Sequence, residues 1–394
     1  MKSQIRYSRG ENLPIMEKVH RFGWSLFILM IFVLALSILT LYSAGRTDCT
    51  DVIGYCNPVG GWHPFALSHL WKILGGLVVF FGVAFSNLKF WLRHSYLLYA
   101  GALIMCLLVL FIGHTGGGAT RWLNLGFITV QPSEFIKIGL VICLARYFSW
   151  LNSTDLEKFR NYLIPAAMVL APFLLIVAQP DLGTALSILF IAAGFFFIVG
   201  AKRQWFIIGT VLAIIALPII WTYGLHGYQK QRILTFMNPT ADLTGAGYQI
   251  HQARIAIGSG GMIGRGYMQG TQSQRAFLPE RHTDFIFTMF GEEFGFLGGF
   301  LLITLYTIMA GIMFWWAKTT RNRFGQLLAF GFMLNFFVYY FINIAMVLGL
   351  IPTVGVPLPL MSYGGSSLLA LLFGFGLVQN TRIHRDMQMS GKGN

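Results

Sequence analysis

The stretch GWSLFILMIFVLALSILTLYSA, residues 23–44, contains no charged side chain and is long enough to cross a lipid bilayer. A membrane-spanning helix needs about 20 consecutive apolar residues, and only helices or closed barrels satisfy their backbone hydrogen bonds inside lipid. The run is too long for the apolar core of a secretory signal peptide, and polar and basic residues precede it. We therefore expect a membrane helix here and no cleavable signal peptide.

The same pattern recurs along the chain. Of its 394 residues, 56% are hydrophobic and 11% are charged, and the mean hydropathy is +0.65, whereas soluble proteins carry about 25% charged residues. The sequence therefore predicts an all-α integral membrane protein with about ten transmembrane helices. The predicted helices cover about 23–44, 66–86, 96–113, 133–150, 162–178, 182–200, 205–223, 285–316, 325–350 and 363–380. The second carries Lys72 near its start, and the fourth contains Lys137 and Arg146.

Basic residues set the orientation, because Lys and Arg concentrate in cytoplasmic loops. With the N-terminus inside, most of the 28 Lys and Arg fall in cytoplasmic segments and few fall in the short outer connections. We expect a cytoplasmic N-terminal segment over 1–22, a ten-helix membrane domain over 23–380 and a cytoplasmic C-terminal tail over 381–394. The segment 224–284 becomes a long extracytoplasmic loop between helices 7 and 8. The net charge of +14 follows from this topology, so no nucleic-acid partner is expected.

The four cysteines form two groups. Cys106 and Cys143 lie within apolar runs and are expected to be inert packing residues. Cys49 and Cys56 lie in the first outer loop, where an oxidising compartment would permit a disulfide. The sequence leaves a bridge and two free thiols equally open.

Carboxylates within or beside the predicted helices are candidates for function, because a charged carboxylate at the bilayer centre costs about 2.5–3.5 kcal/mol. Glu134 and Lys137 share a helix face, so they form either a structural ion pair or part of the chemistry. Asp181 follows Gln179 in a tight turn, where it either caps the next helix or serves a substrate.

Three further carboxylates surround the start of the eighth helix. Glu292 and Glu293 either face a polar cavity or pair with an arginine. Asp284, in RHTDFIF (281–287), opens the apolar run from the outer side, so it is either the N-cap of that helix or a reactive carboxylate. His282 beside it is expected to be a structural or hydrogen-bonding neighbour.

The glycine-rich stretch IAIGSGGMIGRG (255–266) superficially resembles a phosphate-binding loop. A dinucleotide fingerprint requires a strand before it and a helix after it in a βαβ unit, which a ten-helix membrane protein does not offer. We therefore expect flexible packing of a re-entrant or interfacial segment. Arg265, with Arg254 and Arg275, is available there for an anionic group.

Five motifs stand in order along the chain: GATRWLNLGFITVQPSE (118–134), QPDLGTAL (179–186), GYQIHQARIAIGSGGMIGRG (247–266), LPERHTDFIFTMFGEEFGF (278–296) and GVPLPLMSYGGSS (355–367). Together they resemble the SEDS family (shape, elongation, division and sporulation) of bacterial cell-wall glycosyltransferases. The resemblance covers about residues 22–380 and is nearer to the elongation branch of the family than to the division branch.

The resemblance implies a peptidoglycan glycosyltransferase of the bacterial cytoplasmic (inner) membrane that polymerises lipid II during cell elongation, with its active site on the outer face. It also implies a class B penicillin-binding protein as the transpeptidase partner, beside other elongation-complex proteins. Asp284 matches the family's essential aspartate. The other implied substrate-binding or structural residues are Glu134, Lys137, Gln179, Asp181, Arg121, Arg254, Arg265, Arg281, His282, Ser362 and Gly364.

The expected reaction suits these residues. An acceptor hydroxyl must attack an anomeric carbon that carries a diphosphate, and a carboxylate base such as Asp284 assists that attack by about 10²–10⁴-fold. The diphosphate needs charge neutralisation rather than a proton, so one carboxylate suffices where glycosidases need two. The neutralising charge would come from arginines, with Arg121, Arg254, Arg265 and Arg281 as candidates, or from a divalent cation (Mg²⁺ or Mn²⁺) near Asp284. Direct attack predicts inversion at the anomeric carbon.

Two other functions stay open. A lipid II flippase would need polar groups along a path through both leaflets, whereas the polar motifs of this chain concentrate on the predicted outer side. A non-catalytic scaffold of the elongation or division complex would tolerate the loss of any single outer carboxylate.

Overall fold

The structure is a computed structural model that is helical over most of its length. It describes residues 13–45, 64–116, 119–124, 126, 129–152, 154–224, 227–237, 246–274 and 281–387. Cys49 and Cys56, whose pairing the sequence left open, and Arg275 lie outside these residues. The helices and strands, in chain order, are α1 (Ile15–His20), α2 (Trp24–Gly45), α3 (Pro64–Phe85), α4 (Leu88–Ile112), β1 (His114–Gly116), β2 (Ala119–Asn124), β3 (Thr129–Val130), α5 (Pro132–Ser149), α6 (Arg160–Ala178), α7 (Leu182–Val199), α8 (Arg203–Ile219), α9 (Gly227–Met237), α10 (Ala246–Gly260), α11 (Thr271–Gln274), α12 (Ile286–Thr319), α13 (Arg323–Val347) and α14 (Gly365–Ile383).

Each of the ten predicted apolar runs forms a long helix. Among the described residues, eight helices are long and apolar enough to cross a membrane, namely α2, α3, α4, α6, α7, α8, α12 and α13. The other two predicted runs, α5 and α14, carry more polar residues and are largely buried among their neighbours. The prediction of a multi-pass helical membrane protein is therefore confirmed.

Two features differ from the sequence prediction. Three short antiparallel strands, in the order β1-β2-β3, fill the connection between α4 and α5, so the chain is not purely helical. In addition, α4 begins at Leu88 rather than at 96, because the side chain of Asn87 caps it by accepting a hydrogen bond from the Lys89 amide at 2.9 Å. The charged residues Lys89 and Arg93 extend this helix beyond its apolar part, which apolar length alone does not reveal.

Close helix packing depends on small residues, as is usual in membrane bundles. The longest such contact joins α3 to α14. A Cβ added at Gly376 would lie 2.8 Å from the Phe80 carbonyl oxygen, and one added at Gly76 would lie 2.4 Å from Leu372 Cδ1. Larger residues at these positions would force α3 and α14 apart.

The end of the bundle that carries α1 and residue 387 is rich in basic side chains, and we call it the basic end. There, the amide of Gln379 both accepts from the Gly23 N–H and donates to the Gly23 carbonyl. Arg21 forms an ion pair with Asp386 at 3.3 Å. The two described chain ends therefore lie together, as expected when an even number of helices crosses the membrane.

The predicted long loop contains structure of its own. After α10, residues 261–266 run beside α12, where Gly295 interrupts the helix with φ 68° and ψ −166°. The Arg265 amide donates to the Glu292 carbonyl at 3.0 Å, and the Phe296 amide donates to the Gly261 carbonyl at 2.9 Å. A Cβ on Gly264 would lie 2.0 Å from the Glu293 carbonyl oxygen. The glycines of the 255–266 stretch therefore serve backbone packing on α12, which agrees with the packing interpretation.

The orientation of the bundle is open to a direct test. Because basic residues mark the cytoplasmic side, a reporter fused after Asn394 should be active only in the cytoplasm. A reporter inserted in the 226–250 stretch should be active only outside. Paired reporters that require opposite compartments, placed at the same two positions, provide the control. Activity on the reversed sides would overturn the charge argument.

Candidate functional site

The turn formed by residues 281–285 lies at the end of the bundle opposite the basic end, and two polar side chains hold its backbone. Asn343 of α13 donates through Nδ2 to the Asp284 carbonyl at 2.9 Å and to the Val356 carbonyl at 2.7 Å. The Ser362 hydroxyl donates to the Thr283 carbonyl and accepts from the Leu358 amide, both at 2.7 Å. The Asp284 turn is thereby fixed to the segment 355–364.

Asp284 does not occupy the N-cap position of the helix that follows it. Phe285 occupies the N-cap position of α12, and no side-chain capping bond is present there. The N-cap interpretation of Asp284 is therefore wrong. Its carboxylate lies over Gly355 instead, since a Cβ built on that glycine would be 3.5 Å from Asp284 Oδ2. Gly355 has φ +69°, a conformation that strongly favours glycine.

Arg121 approaches the same point from β2. Its Nη1 atom lies 4.0 Å from the position of a Gly355 Cβ, so a carboxylate oxygen and a guanidinium group flank one small gap. Nη2 of Arg121 donates to the Pro180 carbonyl at 2.9 Å, and Nε lies 3.7 Å from Asp181 Oδ2. Sequence reasoning named Arg121 and Asp284 separately, and the fold brings them together.

Asp181 both caps α7 and orients Arg121. Its carboxylate accepts from the Thr184 amide at 3.3 Å and from the Thr184 hydroxyl at 3.0 Å, which confirms the predicted cap. Gln179 donates through Nε2 to the Cys106 carbonyl at 2.6 Å, so it fixes the turn before Asp181 to α4. Both side chains are buried. Their contacts fix the turn that holds Arg121 in place.

A cavity of about 320 Å³ opens beside Arg121. Its polar lining comes from Arg121, Gln229 and Arg232, and most of the remaining lining is apolar. Gln229 donates to the same Pro180 carbonyl as Arg121, at 3.3 Å, and Arg232 donates to the Thr353 carbonyl at 3.3 Å. On the α7 wall, Leu186 and Phe190 are also exposed on the outside of the bundle. The cavity therefore joins a cationic end to exposed apolar side chains of α7.

Glu134 and Lys137 form a buried ion pair at the start of α5. Lys137 Nζ lies 2.8 Å from Glu134 Oε1, and the two side chains are 1% and 5% exposed. Tyr339 of α13 donates its hydroxyl to the same Glu134 oxygen at 3.0 Å, and Lys137 Nζ lies 3.6 Å from the centre of its ring. The structural interpretation of the pair agrees with this geometry, because the pair joins α5 to α13 inside the bundle.

His282 contacts α3 and the 355–364 segment. Its ring stacks on Phe65 of α3 at a centroid distance of 4.7 Å, and its carbonyl accepts from the Tyr363 amide at 2.9 Å. This agrees with the predicted role as a structural neighbour. Gly364, the other predicted residue in this segment, occupies the N-cap position of α14.

Several predicted residues lie elsewhere. Arg254 donates to the Gly349 carbonyl at 3.1 Å, and Arg265 donates to the Thr271 hydroxyl at 3.1 Å, so the structure does not bring their guanidinium groups to the Asp284 gap. Arg281 is half-buried in the turn, and burial lowers the pKa of its guanidinium. These positions weaken the assignment of Arg254 and Arg265 to a diphosphate.

The two glutamates of α12 are buried and serve the neighbouring loop. Glu292 accepts from the Gln272 amide at 2.8 Å and lies 3.4 Å from the Thr271 hydroxyl, which Arg265 also contacts. Glu293 accepts a hydrogen bond from Ser43 of α2. Among the described residues, Thr271 links Arg265 to Glu292, which fits the alternative in which these glutamates pair with an arginine.

Cys106 and Cys143 are both free and buried, as expected for packing residues. Across the described ranges, no three His, Cys, Asp or Glu side chains converge to form a metal site. Sequence reasoning missed Asn343, Arg232 and Tyr339. Asn343 and Tyr339 are polar groups within an apolar run, which is a usable signal. Arg232 lies in the segment predicted as a long loop, where no sequence pattern distinguishes it from other basic residues.

Known proteins resemble the whole bundle. The family model for FtsW, RodA and SpoVE, described as "Cell cycle protein", matches residues 23–387. Peptidoglycan glycosyltransferase MrdB of Escherichia coli (strain K12) is 44% identical over 292 residues, which span 74% of this chain and 78% of that protein. MrdB of Helicobacter pylori (strain ATCC 700392 / 26695) is 38% identical over 311 residues, which span 77% and 78%.

Two solved structures share the fold. A chain in the structure described as "Structural coordination of polymerization and crosslinking by a peptidoglycan synthase complex" superimposes with a TM-score of 0.78 and 28% identity, over 93% of this chain and 99% of that one. The crystal structure of the rod shape determining protein RodA of Thermus thermophilus gives a TM-score of 0.68 and 27% identity, over 93% and 98%.

The Glu134–Lys137 pair should behave as one unit. Glu134→Ala or Lys137→Ala leaves a buried charge without its partner, so each should destabilise the protein by about 3–5 kcal/mol. The double exchange Glu134→Lys with Lys137→Glu should restore part of the loss. Thermal unfolding of purified protein in detergent measures all three variants.

A matched control exists at the basic end. Lys158 and Asp155 have the same spacing and a 3.0 Å contact, but the lysine side chain is 67% exposed. Lys158→Ala should therefore change stability by less than about 1 kcal/mol. Equal effects of Lys137→Ala and Lys158→Ala would show that burial of the first pair is irrelevant to stability.

Proposed function

The chain belongs to the FtsW/RodA/SpoVE family, the SEDS family inferred from its motifs, and on that premise we propose that it polymerises lipid II into glycan strands with Asp284 as the base. It is a multi-pass membrane protein and a peptidoglycan glycosyltransferase. One observation carries the catalytic assignment. The Asp284 carboxylate and the Arg121 guanidinium flank the same gap above Gly355, at the edge of a largely apolar cavity.

Asp284 suits the base because its carboxylate lies over Gly355, close to Arg121, and its backbone is fixed. The acceptor hydroxyl loses its proton to this carboxylate as the oxygen attacks the anomeric carbon of the donor sugar. Positioned bases of this kind contribute about 10²–10⁴-fold to a rate. The Asn343 and Ser362 bonds hold the turn, so little ordering remains to be done when the substrate arrives.

Arg121 suits the leaving group because it faces the base across the gap. In a direct displacement, the attacking oxygen and the departing diphosphate lie on opposite sides of the reacting carbon. The guanidinium would neutralise charge on the departing phosphate, for which its planar donor groups are well shaped. Asp181 keeps Arg121 directed at the gap. The product is a β-linked sugar if the donor linkage is α.

The cavity beside Arg121 fits the lipid part of the donor. Its cationic end, with Arg121 and Arg232, would hold the diphosphate, and its apolar walls would accept the first part of the polyprenyl chain. Because Leu186 and Phe190 line both the cavity and the outer surface, the chain can continue into the bilayer without crossing a polar barrier.

A divalent cation remains part of the proposal. Mg²⁺ commonly binds one or two carboxylates together with substrate phosphates, and Asp284 is placed to offer one such carboxylate beside the diphosphate. The cation would add positive charge at the leaving group when bound. The roles of Asp284, Arg121 and Asp181 described above stand without it.

We also propose on which face of the membrane the reaction occurs and which proteins act with this chain. The site end of the bundle lies opposite the basic end, which the charge pattern assigns to the cytoplasm, so the chemistry would occur on the periplasmic or extracytoplasmic face of the bacterial inner membrane. A class B penicillin-binding protein would supply the transpeptidase. Likeness to a chain of a peptidoglycan synthase complex supports such a partner. Other elongation-complex proteins follow from the same reasoning.

One assay separates an enzyme from a flippase or a scaffold. Purified protein is given lipid II in detergent, and glycan polymer is measured. Because detergent removes the two leaflets, a flippase has nothing to accomplish there and a scaffold has no chemistry. Polymer from the purified chain, alone or with its transpeptidase partner, supports the enzyme, and no polymer from either preparation would contradict it.

The sharpest test of the base is Asp284→Asn. Asparagine keeps the size of the side chain but accepts no proton, so polymer formation should fall by about 10²-fold or more. Insertion, folding and binding to the transpeptidase should stay at the parental level. The assay compares initial rates of glycan formation at equal concentrations of folded protein.

Asp155→Asn is the matched control, because it removes a partly exposed carboxylate at the basic end. It should leave the rate unchanged. A near-parental rate from Asp284→Asn would remove Asp284 as the base.

A further inference from the structure

A second polar cluster lies beside the Asp284 turn, where α3 meets the 355–364 segment. Its members are Lys72 and Ser68 of α3 and Tyr363 of the 355–364 segment. Lys72 Nζ lies 3.6 Å from the centre of the Tyr363 ring, and Ser68 Oγ lies 3.1 Å from the Tyr363 hydroxyl. We call this the Lys72 cluster. Nothing in the mechanism above uses it.

A continuous chain of contacts joins the Lys72 cluster to the base. Tyr363 donates its amide to the carbonyl of His282, whose ring stacks on Phe65. Ser362, next to Tyr363, donates to the Thr283 carbonyl beside Asp284. The turn therefore neighbours two cationic regions: Arg121 lies near Asp284 at Gly355, and the Lys72 cluster contacts the turn at His282.

The surroundings of the Lys72 cluster favour an anion. Burial alone would raise the pKa of Tyr363, but the hydrogen bonds from Lys72 and Ser68 and the lysine charge outweigh it, so that the pKa of the phenol is lowered. Lys72 and Tyr363 are only half-buried, so a ligand can reach them.

A buried histidine beneath the Lys72 cluster supplies an independent observation. His69 is fully buried, and its Nε2 atom lies 3.1 Å from the Ser37 hydroxyl. Its Nδ1 atom has no hydrogen-bond partner among the described residues. Its ring lies 6.2 Å from that of Tyr363. A buried polar atom without a partner costs about 1–3 kcal/mol, which points to a polar ligand or the water that accompanies one.

The proposed function, polymerisation, needs two lipid-linked substrates at once. The inference of a second substrate site rests on that function. One substrate loses its diphosphate, and the other supplies the hydroxyl and keeps its diphosphate. Since the departing diphosphate belongs beside Arg121, the retained diphosphate must lie elsewhere, with its sugar hydroxyl still able to reach Asp284.

We propose that Lys72, Ser68 and Tyr363 form a second diphosphate-binding site, which holds the lipid diphosphate of the acceptor. The Lys72 ammonium bonds a phosphate oxygen, and the Ser68 and Tyr363 hydroxyls donate to the same group. The acceptor then reaches Asp284 from the side opposite the leaving group, as an in-line displacement requires. Lys72 binds substrate and takes no part in proton transfer.

Binding stoichiometry tests the site without any turnover. Asp284→Asn protein in detergent is titrated with undecaprenyl diphosphate, and native mass spectrometry counts the bound molecules. We expect two, falling to one when Lys72→Gln is added and to one when Arg121→Gln is added. Two molecules bound in the presence of Lys72→Gln would overturn the site. Equal binding of phosphatidylglycerol at the Lys72 site would overturn its assignment to a diphosphate, and inorganic pyrophosphate shows whether the lipid is needed.

Kinetics with lipid II provide the second readout. Lys72→Gln should raise the half-saturating concentration of lipid II by about tenfold, as expected for the loss of a charged hydrogen bond, and should affect the saturated rate much less. Lys72→Arg should recover most of the affinity. Lys89→Gln, which removes an exposed lysine at the basic end, is the matched control and should match the parent. A fall in the saturated rate with an unchanged half-saturating concentration would contradict the proposal.

The two measurements fail separately. If the unmodified chain with its transpeptidase made no polymer, the proposed function would be lost, but the stoichiometry would still decide whether Lys72 binds a diphosphate. If polymer formed and Lys72→Gln changed neither binding nor the lipid II dependence, the second site alone would be lost.

Discussion

The amide of Asn343 bonds two backbone carbonyls at once, those of Asp284 and Val356. This matters because irregular backbone near the membrane is tolerated only where the protein itself satisfies its polar groups. Neither segment is helical at these points, so their carbonyls need donors other than the amides of a regular helix. One side chain on α13, together with Ser362, satisfies them and fixes the distance between the turn and the 355–364 segment. The geometry of the base follows from this constraint.

Buried charges must also be compensated by other groups of the protein, and leaving one uncompensated costs more free energy than leaving a carbonyl unpaired. Lys137 is 1% exposed and is retained because Glu134 and the Tyr339 ring compensate it. Arg121 is anchored by Asp181 and by the Pro180 carbonyl. Removing one partner from such a set leaves an uncompensated charge, which is worse than removing both. The ion pairs therefore specify how α5, α7, α13 and β2 meet, and they aim Arg121 at the gap as a consequence.

The sequence predicted most of these helices and site residues but not which of them contact one another. Apolar length identified the ten long helices, and the spacing of Glu134 and Lys137 predicted their contact. The N-cap alternative for Asp284 failed because Phe285 holds that position, which depends on one residue of backbone geometry. Asp284 and Arg121 are separated by roughly 160 residues of chain. Their proximity therefore depends on long-range contacts that no local sequence pattern encodes. The packing role of the glycine-rich 255–266 stretch could be predicted only from its context, because a membrane helix bundle offers no βαβ unit for a nucleotide-binding loop.

The proposed binding of one diphosphate beside Arg121 and another beside Lys72 has a consequence for repeated addition of sugars to the glycan strand. In the proposed geometry the strand is transferred onto the acceptor, so the lengthened strand is attached to the diphosphate on the Lys72 side. The next addition needs that strand as donor, with its diphosphate beside Arg121. Between additions the lipid diphosphate must therefore pass from one side of the Asp284 turn to the other. The lack of a side chain at Gly355 leaves the gap open between the base and Arg121. A glycine at this position thus suits the positive φ of the backbone and leaves room for the substrate in the proposed geometry.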